Sequence, residues 1–234
     1  ASVATTHLSK YMIVDRTVWY DAWAKEINYK TDDGAEAYYT VLTIDCSGSM
    51  RTNDPIIKND NINNSYDGAF NRITCNRIQG ALEFVDCMGE NDKTAVVLFD
   101  STAKTVLDFT SNKDAIRLAL QGIYSYGATS YDSALNNSFG LFDEEIINNE
   151  KICTRIIFLS DGGGYCDDYY LELAGKNDII IHGIGLGEDS GDDTLKLMSE
   201  STGGSFYKAD TAEMLSKLYE QIYIQNGFDK TDTD

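Results

Sequence analysis

A compact group of oxygen-bearing side chains, Asp45, Ser47 and Ser49, follows directly after the apolar stretch 38–44. That stretch is typical of a β-strand, so one carboxylate and two hydroxyl groups would share a single turn at the strand's carboxyl end. Such oxygen ligands suit Mg²⁺, Mn²⁺ or Ca²⁺ better than Zn²⁺. Because these side chains are short, a bound cation would keep part of its coordination sphere open to a carboxylate from another molecule. The spacing therefore predicts a binding site built on a divalent cation.

Two more residues could complete this site. Asp161 follows a second apolar stretch, 154–159, and Thr129 lies in a glycine-containing segment ahead of an amphipathic one. Ligands of open α/β sheets bind beyond the carboxyl ends of the strands, so Asp45 and Asp161 would converge if their strands are neighbours. Each residue also has a simpler interpretation, because Ser, Thr and Asp side chains commonly cap turns and helix starts.

The segments that would position these residues alternate along the chain. Continuous apolar runs at 93–99, 154–159 and 179–184 indicate strands of a sheet that is covered on both faces. Amphipathic segments lie between these runs, and 104–109 follows a short turn as the expected antiparallel edge strand. The pattern predicts an α/β fold with an open, mostly parallel sheet and helices on both faces.

Composition narrows the class of protein. The chain of 234 residues carries a net charge of −19, and no cluster of Lys and Arg offers the positive surface that nucleic-acid binding requires. No apolar run approaches the roughly 18 residues that suggest a membrane span. Five cysteines without metal-type spacing favour reduced core or loop thiols over a disulfide framework. These thiols fit the cytosol and the surface of an anaerobe equally well.

Three separated motifs agree with one family. Asp45-x-Ser47-x-Ser49, Gly127-Ala128-Thr129 and Ser160-Asp161-Gly162 resemble, in order and spacing, the metal-ion-dependent adhesion site of von Willebrand factor type A domains. The resemblance runs from about Glu36 to Gly227. It implies a Rossmann-like fold with five parallel strands and one antiparallel edge strand. It also implies a last helix, at 211–225, that moves when the site switches state.

The resemblance also implies roles for the site residues. One divalent cation, Mg²⁺ with Mn²⁺ or Ca²⁺ as alternatives, would be held by Asp45, Ser47, Ser49, Thr129 and Asp161. The two serines would bind the metal directly, Thr129 directly or through water, and the two carboxylates mainly through water. An Asp or Glu carboxylate of a protein partner would complete the coordination shell. The implied function is metal-dependent protein binding of the adhesion type, without enzymatic activity.

The same resemblance divides the chain into three parts. Residues 1–35 look like the end of a preceding β-domain, 36–227 form the type A-like domain, and 228–234 are an acidic tail or linker. On this interpretation the chain is a module of a longer extracellular or bacterial surface protein. The alternative is an intracellular assembly module of an ATPase- or chelatase-associated complex, which would use the same site in the cytoplasm.

Other chemistry-bearing residues receive simpler interpretations. The glycines of 183–187 lack the spacing of a nucleotide-binding loop, and His182 inside an apolar run is expected to be a core residue. Asp100 is expected to stabilise a hairpin, and Cys166 is the loop thiol that could react. A metal-dependent phosphoesterase is not favoured, because no general base or second metal set is placed beside the motif. The polar segment 53–71 is expected to be a surface insertion.

The acidic residues of two later loops have two interpretations. They could form a solvated rim, or they could select a partner whose carboxylate lies in positive surroundings. These residues are Asp167, Asp168, Glu188, Asp189, Asp192 and Asp193.

Overall fold

A computed structural model describes residues 35–58, 72–187 and 192–209 of the chain, together with Met214, Leu218 and Ile222. Strands and helices alternate through these ranges. The strands are β1 (Ala37–Asp45), β2 (Ile57–Lys58), β3 (Ile73–Thr74), β4 (Lys93–Phe99), β5 (Ala103–Thr110), β6 (Ile152–Ser160), β7 (Ile180–Leu186) and β8 (Phe206–Ala209). The helices are α1 (Met50–Asn53), α2 (Asn76–Cys87), α3 (Lys113–Leu120), α4 (Tyr131–Phe139), α5 (Glu144–Ile147), α6 (Asp168–Lys176) and α7 (Asp192–Ser201).

Six of the described strands form one sheet in the order β5-β4-β1-β6-β7-β8. The pairings of β1, β4, β6, β7 and β8 are parallel, whereas β5 pairs antiparallel with β4 at the edge. The predicted α/β fold, with a mostly parallel sheet and one antiparallel edge strand, is therefore confirmed. The hairpin prediction is also correct, because β5 follows β4 after the short turn 100–102.

The sheet separates two hydrophobic clusters, which explains why its central strands are apolar at consecutive positions. On one face, α2 and α3 pack against β1, β4 and β6, together with Leu218 and Ile222 from the position of the predicted last helix. On the other face, α4, α6 and α7 contribute a cluster rich in aromatic side chains. A strand that is covered on both faces gains burial from every residue, so alternation of polar and apolar residues disappears.

The register of the sheet places the ends of three strands side by side. Asp45 is opposite Phe99 of β4, and Ile44 is opposite Leu159 of β6. The residues that follow β1, β4 and β6 therefore leave the sheet at one level of its carboxyl edge. This register positions the candidate site.

Several details differ from the sequence-based expectations. Strand β8 and helices α3, α6 and α7 were not predicted, and α4 ends at Phe139, before the predicted helical residue Leu141. The expectation that Asp168, Asp192 and Asp193 lie in loops is wrong, because they lie in the first turns of α6 and α7. The short strands β2 and β3 pair with each other on either side of 59–71. The predicted N-terminal extension, most of the insertion 53–71, most of the predicted last helix at 211–225, the acidic tail and the residues Glu188 and Asp189 lie outside the described residues. Within the described ranges, no helix combines the length and apolar character needed to cross a membrane.

Candidate metal centre

Asp45 forms the floor of the candidate site. It ends β1 and is fully buried, with an exposed fraction of 0%. Its Oδ1 atom accepts a hydrogen bond from the Ser47 backbone N–H at 2.7 Å, and its Oδ2 atom accepts one from the Ser160 hydroxyl. Burial raises the pKa of the Asp45 carboxyl group to about 6, although these hydrogen bonds oppose the rise. Two hydrogen bonds therefore fix the carboxylate at the end of its strand, where burial disfavours its negative charge.

Ser49 shows that the motif is more than a helix cap. It occupies the N-cap position of α1, yet its side chain makes no capping hydrogen bond. Its hydroxyl instead donates to Asp161 Oδ1 at 2.9 Å, and its Oγ atom lies 3.0 Å from Ser47 Oγ. Side chains separated by 112 positions in the sequence are thereby joined. The structure brings Asp45, Ser47, Ser49 and Asp161 together at one edge of the sheet.

Thr129 belongs to the loop between α3 and α4, which lies against the same turn. The Gly48 backbone N–H donates to the Gly127 carbonyl at 2.9 Å, and a Cβ atom at position 48 would lie 3.1 Å from that oxygen. Ser130, rather than Thr129, caps α4 by accepting from the Ser133 N–H. The half-buried Thr129 is therefore not used as the helix cap, which removes its simpler interpretation.

The donor set of the site suits a hard cation. Asp45 and Asp161 are both buried, with exposed fractions of 0% and 6%, and neither is ion-paired with a basic side chain among the described residues. Ser49 is exposed and Thr129 is half-buried, so the hydroxyl side of the site faces solvent. The described residues hold no cluster of three or more His, Cys, Asp or Glu side chains suited to a metal. Two carboxylates with three hydroxyl groups do not form such a cluster, and this mixed set matches Mg²⁺ better than Zn²⁺.

A family comparison agrees with this geometry. The family model of the von Willebrand factor type A domain matches residues 40–163, slightly more than half of the chain. The chain belongs to the von Willebrand factor type A domain family. The matched range begins in β1 and ends just after Asp161, so it contains all three motifs found in the sequence.

Two of the relatives are longer than this chain. An uncharacterized protein of Synechocystis sp. is 26% identical over 150 residues, which cover 61% of this chain and 35% of that protein. This chain therefore spans about a third of the length of that relative. A von Willebrand factor type A structure from Catenulispora acidiphila matches with a TM-score of 0.64 at 17% identity, over 82% of this chain and 43% of the other.

Two further solved structures share the fold. Proximal thread matrix protein 1 from the mussel byssus, described with zinc in its metal-ion-dependent adhesion site motif, has a TM-score of 0.61 and 21% identity. The match covers 82% of this chain and 46% of that protein. The pilus adhesin SpaC from Lactobacillus rhamnosus GG has a TM-score of 0.59 and 14% identity over 82% of this chain and 31% of the adhesin.

Arg77 is a residue of this type A domain that sequence reasoning missed. It lies at the start of α2, is fully buried, and pairs with Asp54 through an Nε–Oδ2 distance of 2.7 Å. One of its terminal nitrogens donates to the Asp45 carbonyl at 2.6 Å, and the other lies 3.2 Å from Ser125 Oγ. Arg77 thus connects the turn after β1 with the loop that leads to Thr129. An arginine in a helix usually indicates an exposed face, so the sequence carried no signal for this role.

Asn53 was also missed as a member of the site. Its side-chain amide donates to Asp161 Oδ2 at 3.0 Å, so each oxygen of Asp161 accepts one hydrogen bond from a residue close to the first motif. Asn53 follows Ser49 by one helical turn, and this spacing is the signal from which it could have been found.

The remaining sequence-based interpretations have mixed outcomes. Asp100 accepts from the Thr102 N–H at 2.9 Å within the hairpin turn, as expected. His182 is buried in β7, and its Nδ1 atom accepts from the Ser205 N–H at 3.3 Å, as expected of a core residue. Cys46 packs in the core. Cys166, the loop thiol that we expected could react, is buried, and burial raises its pKa to about 12, which disfavours the reactive thiolate.

Proposed function

We propose that this type A domain is a metal-dependent protein-binding module of the adhesion type. A divalent cation would be held by Asp45, Ser47, Ser49, Thr129 and Asp161, and it would supply an electrophilic position for a carboxylate of the partner. Neutral hydroxyl groups on the open side leave most of the positive charge of the cation available to that carboxylate. In this proposal the chemistry is coordination rather than catalysis.

One observation carries the proposal. The Ser49 hydroxyl does not cap the start of α1 and instead donates a hydrogen bond to Asp161, which follows the neighbouring strand β6. A hydroxyl group that only stabilised a turn would satisfy the free amides of α1. The contact therefore supports a shared function for the two motifs, and two buried carboxylates without a basic partner among the described residues give a cation a favourable place.

The neighbours support the coarser part of the proposal. One is described with a zinc-occupied motif of this kind and another as a pilus adhesin. By analogy we propose that this chain binds a divalent cation and takes part in protein binding. We favour Mg²⁺, with Mn²⁺ or Ca²⁺ as alternatives, because the donors are all oxygen atoms. We also propose that 36–227 is one domain of a longer extracellular or bacterial surface protein, with 1–35 and 228–234 as its flanks.

The second candidate is an intracellular assembly module that uses the same site to recruit a subunit. The observation that favours it is the state of the cysteines, because none of the five forms a disulfide bond in the structure. Proteins in oxidising compartments more often pair such residues. Both candidates share the cation site and differ in the partner and the compartment.

Calorimetric titration of Mg²⁺, Mn²⁺, Ca²⁺ and Zn²⁺ into chelator-treated protein tests the shared site. We expect saturable binding of one cation per chain, lost in Asp45→Ala and in Thr129→Ala. Asp143→Asn is the matched control, because Asp143 caps α5 by accepting a hydrogen bond from the Ile146 N–H, in the segment that leads to the amino end of β6. Binding that is absent from the wild type, or that survives both alanine substitutions, contradicts the proposal.

A further inference from the structure

One buried hydroxyl group beside the candidate site is left unsatisfied by the fold. Tyr131 is the first residue of α4, and its side chain has an exposed fraction of 0%. Among the described residues, its hydroxyl oxygen and the Nε2 atom of His182 are the only buried side-chain nitrogen or oxygen atoms without a hydrogen-bond partner. Such an atom has given up its hydrogen bonds to water without replacement, which is costly. Its presence in a folded protein therefore needs an explanation.

Packing fixes the ring of Tyr131 in its place. The ring centroid lies 4.8 Å from that of Phe158 and 6.1 Å from that of Phe99, both in edge-to-face geometry. Gly164 lies against the same ring, and a Cβ atom at this position would be only 2.3 Å from a ring carbon. The Tyr131 ring therefore cannot turn towards another partner without disturbing these contacts.

The hydroxyl group of Tyr131 lies next to that of Ser160. Burial raises the pKa of Tyr131, the Ser160 hydroxyl group opposes this rise, and the negative charge of Asp45 adds to it. A serine hydroxyl group can donate one hydrogen bond and accept two. Ser160 donates to Asp45 Oδ2 and accepts from the Gly162 N–H at 3.1 Å. Within the described contacts, one acceptor position on Ser160 remains for the one donor that Tyr131 leaves unused.

We propose that Tyr131 is a positioning residue of the cation site, and that its hydroxyl group donates to Ser160 when the cation is bound. This inference rests on the proposed function. The hydrogen bond from Tyr131 directs the proton of Ser160 towards Asp45 Oδ2 and so fixes the orientation of the carboxylate. Contacts behind a metal ligand commonly determine the affinity of a site, because they hold the ligand in one orientation.

The unsatisfied hydroxyl group also enters the binding equilibrium. On this proposal the Tyr131 hydroxyl group is unpaired without the cation and paired with it. The hydrogen bond therefore contributes to cation binding and not to the stability of the cation-free domain. Removal of the hydroxyl group should weaken cation binding without destabilising the cation-free domain.

The test compares the wild type with Tyr131→Phe, which keeps the ring and removes only the hydroxyl group. Calorimetric titration of Mg²⁺ into chelator-treated protein measures the affinity, and urea denaturation in chelator measures the stability. We expect the affinity for Mg²⁺ to fall about tenfold, whereas the urea midpoint in chelator should not fall. A hydroxyl group with a merely structural role would lower the midpoint and leave the affinity unchanged.

Ser160→Ala tests the route through which Tyr131 acts. This variant removes the oxygen atom that accepts from Tyr131, so Tyr131→Phe should then change the Mg²⁺ affinity by less than about twofold. An equal loss in both backgrounds would show that Tyr131 does not act through Ser160 and would overturn the proposal. Where Ser160→Ala binds too weakly for calorimetry, the Mg²⁺-dependent shift of the urea midpoint gives the same comparison.

Tyr39→Phe is the matched control, because it also removes only a tyrosine hydroxyl group. Tyr39 lies on β1, the strand that ends in Asp45, and its ring centroid is 5.2 Å from that of Phe109. It precedes Asp45 by six residues, which is about 20 Å along the strand, so its hydroxyl group does not reach the site. The control variant should keep the Mg²⁺ affinity of the wild type.

The outcomes separate the two proposals. An affinity of Tyr131→Phe within about twofold of the wild type, or a urea midpoint that falls in chelator, overturns the inference about Tyr131. If the wild type still binds one cation and Asp45→Ala does not, the proposed function then stands alone. If the wild type binds no cation by calorimetry, the proposed function fails and this inference fails with it.

Discussion

Two buried carboxylates lie close together in this domain, and their surroundings differ. Asp54 is paired with the Arg77 guanidinium and also accepts from the backbone N–H groups of Asn76 and Arg77. Asp45 is equally buried and accepts from the Ser47 N–H and the Ser160 hydroxyl, but it has no basic side chain as an ion-pair partner among the described residues. The fold compensates one negative charge internally and leaves the other without a positive partner. Under the proposed function, Asp54 is the structural carboxylate and Asp45 is one that is available to a cation.

Arg77 makes the comparison sharper because it contacts both places. Its side chain pairs with the carboxylate of Asp54 but reaches only the backbone carbonyl of Asp45. The guanidinium group therefore positions the turn after β1 without neutralising the Asp45 carboxylate. The Arg77 side chain therefore neutralises the Asp54 carboxylate and, at Asp45, only positions the backbone.

The largest expected effect follows from removing Arg77, the positive partner of the buried Asp54 carboxylate. Arg77→Met leaves the Asp54 carboxylate buried without its partner, so we expect the free energy of unfolding to fall by about 3–5 kcal/mol. Urea denaturation followed by circular dichroism measures this loss. The double variant Arg77→Met with Asp54→Asn is the control and should recover a large part of the stability. A loss below about 1 kcal/mol in the single variant would show that Asp54 does not need Arg77.

The second effect concerns the carboxylate that is left for a cation. With Mg²⁺ at about 100 times its dissociation constant, the wild type should gain about 2.7 kcal/mol of stability, and Asp45→Asn should gain none. In chelator, Asp45→Asn should be as stable as the wild type or more stable, because a buried carboxylate is costly without a counter-charge. Urea denaturation in both conditions is the measurement. Strong destabilisation of the variant in chelator would place Asp45 in the same structural class as Asp54.

His182 is a third buried ionisable group, and it stays uncharged in the folded protein. Burial, assisted by the positive charge of Arg155, lowers the pKa of His182 from 6.5 to about 3. The unfolded chain takes up a proton below pH 6.5 and the folded chain does not, so this group lowers stability as the pH falls from 6.5 towards 3. We expect the wild type to lose about 2 kcal/mol relative to His182→Gln between pH 7 and pH 5. Equal losses in both proteins, measured by urea denaturation, would contradict this assignment.

The smallest effect tests how Asp161 is positioned. Asn53→Ala removes the hydrogen bond to Asp161 Oδ2, and we expect cation affinity to fall about fivefold, which corresponds to about 1 kcal/mol. Stability in chelator should change by less than that amount, because Asn53 is exposed. Calorimetric titration measures the affinity. Unchanged affinity would mean that the contacts of Asp161 with the first motif are sufficient without Asn53.

The sequence predicted the central sheet well because its strands are continuous apolar runs between helical patterns. The run 93–99 became β4 with the same limits, and 104–109 became the antiparallel edge strand β5. Strand β8 was missed because four residues of mixed polarity carry little periodic signal. Arg77 was missed because its burial depends on Asp54 and on carbonyl groups of two loops, none of which can be inferred from the residues around it.

The candidate site, like the fold, was predicted only in part from the sequence. The roles of the five metal residues remain a prediction, although four of them meet by hydrogen bonds and the fifth lies in a loop that contacts the first motif. The sequence supplied the types of donor and their order, because motifs and apolar periodicity are local properties of the chain. It could not decide between a capping role and a site role for Ser49.

The sequence by itself determined the α/β class, the oxygen-rich donor set and the family, since all three depend on residue type and spacing along the chain. Only the tertiary structure decided that Ser49 contacts Asp161 and that Arg77 compensates Asp54 and not Asp45. These facts depend on strand order and register, which are set by long-range packing and not by the local preferences of each segment.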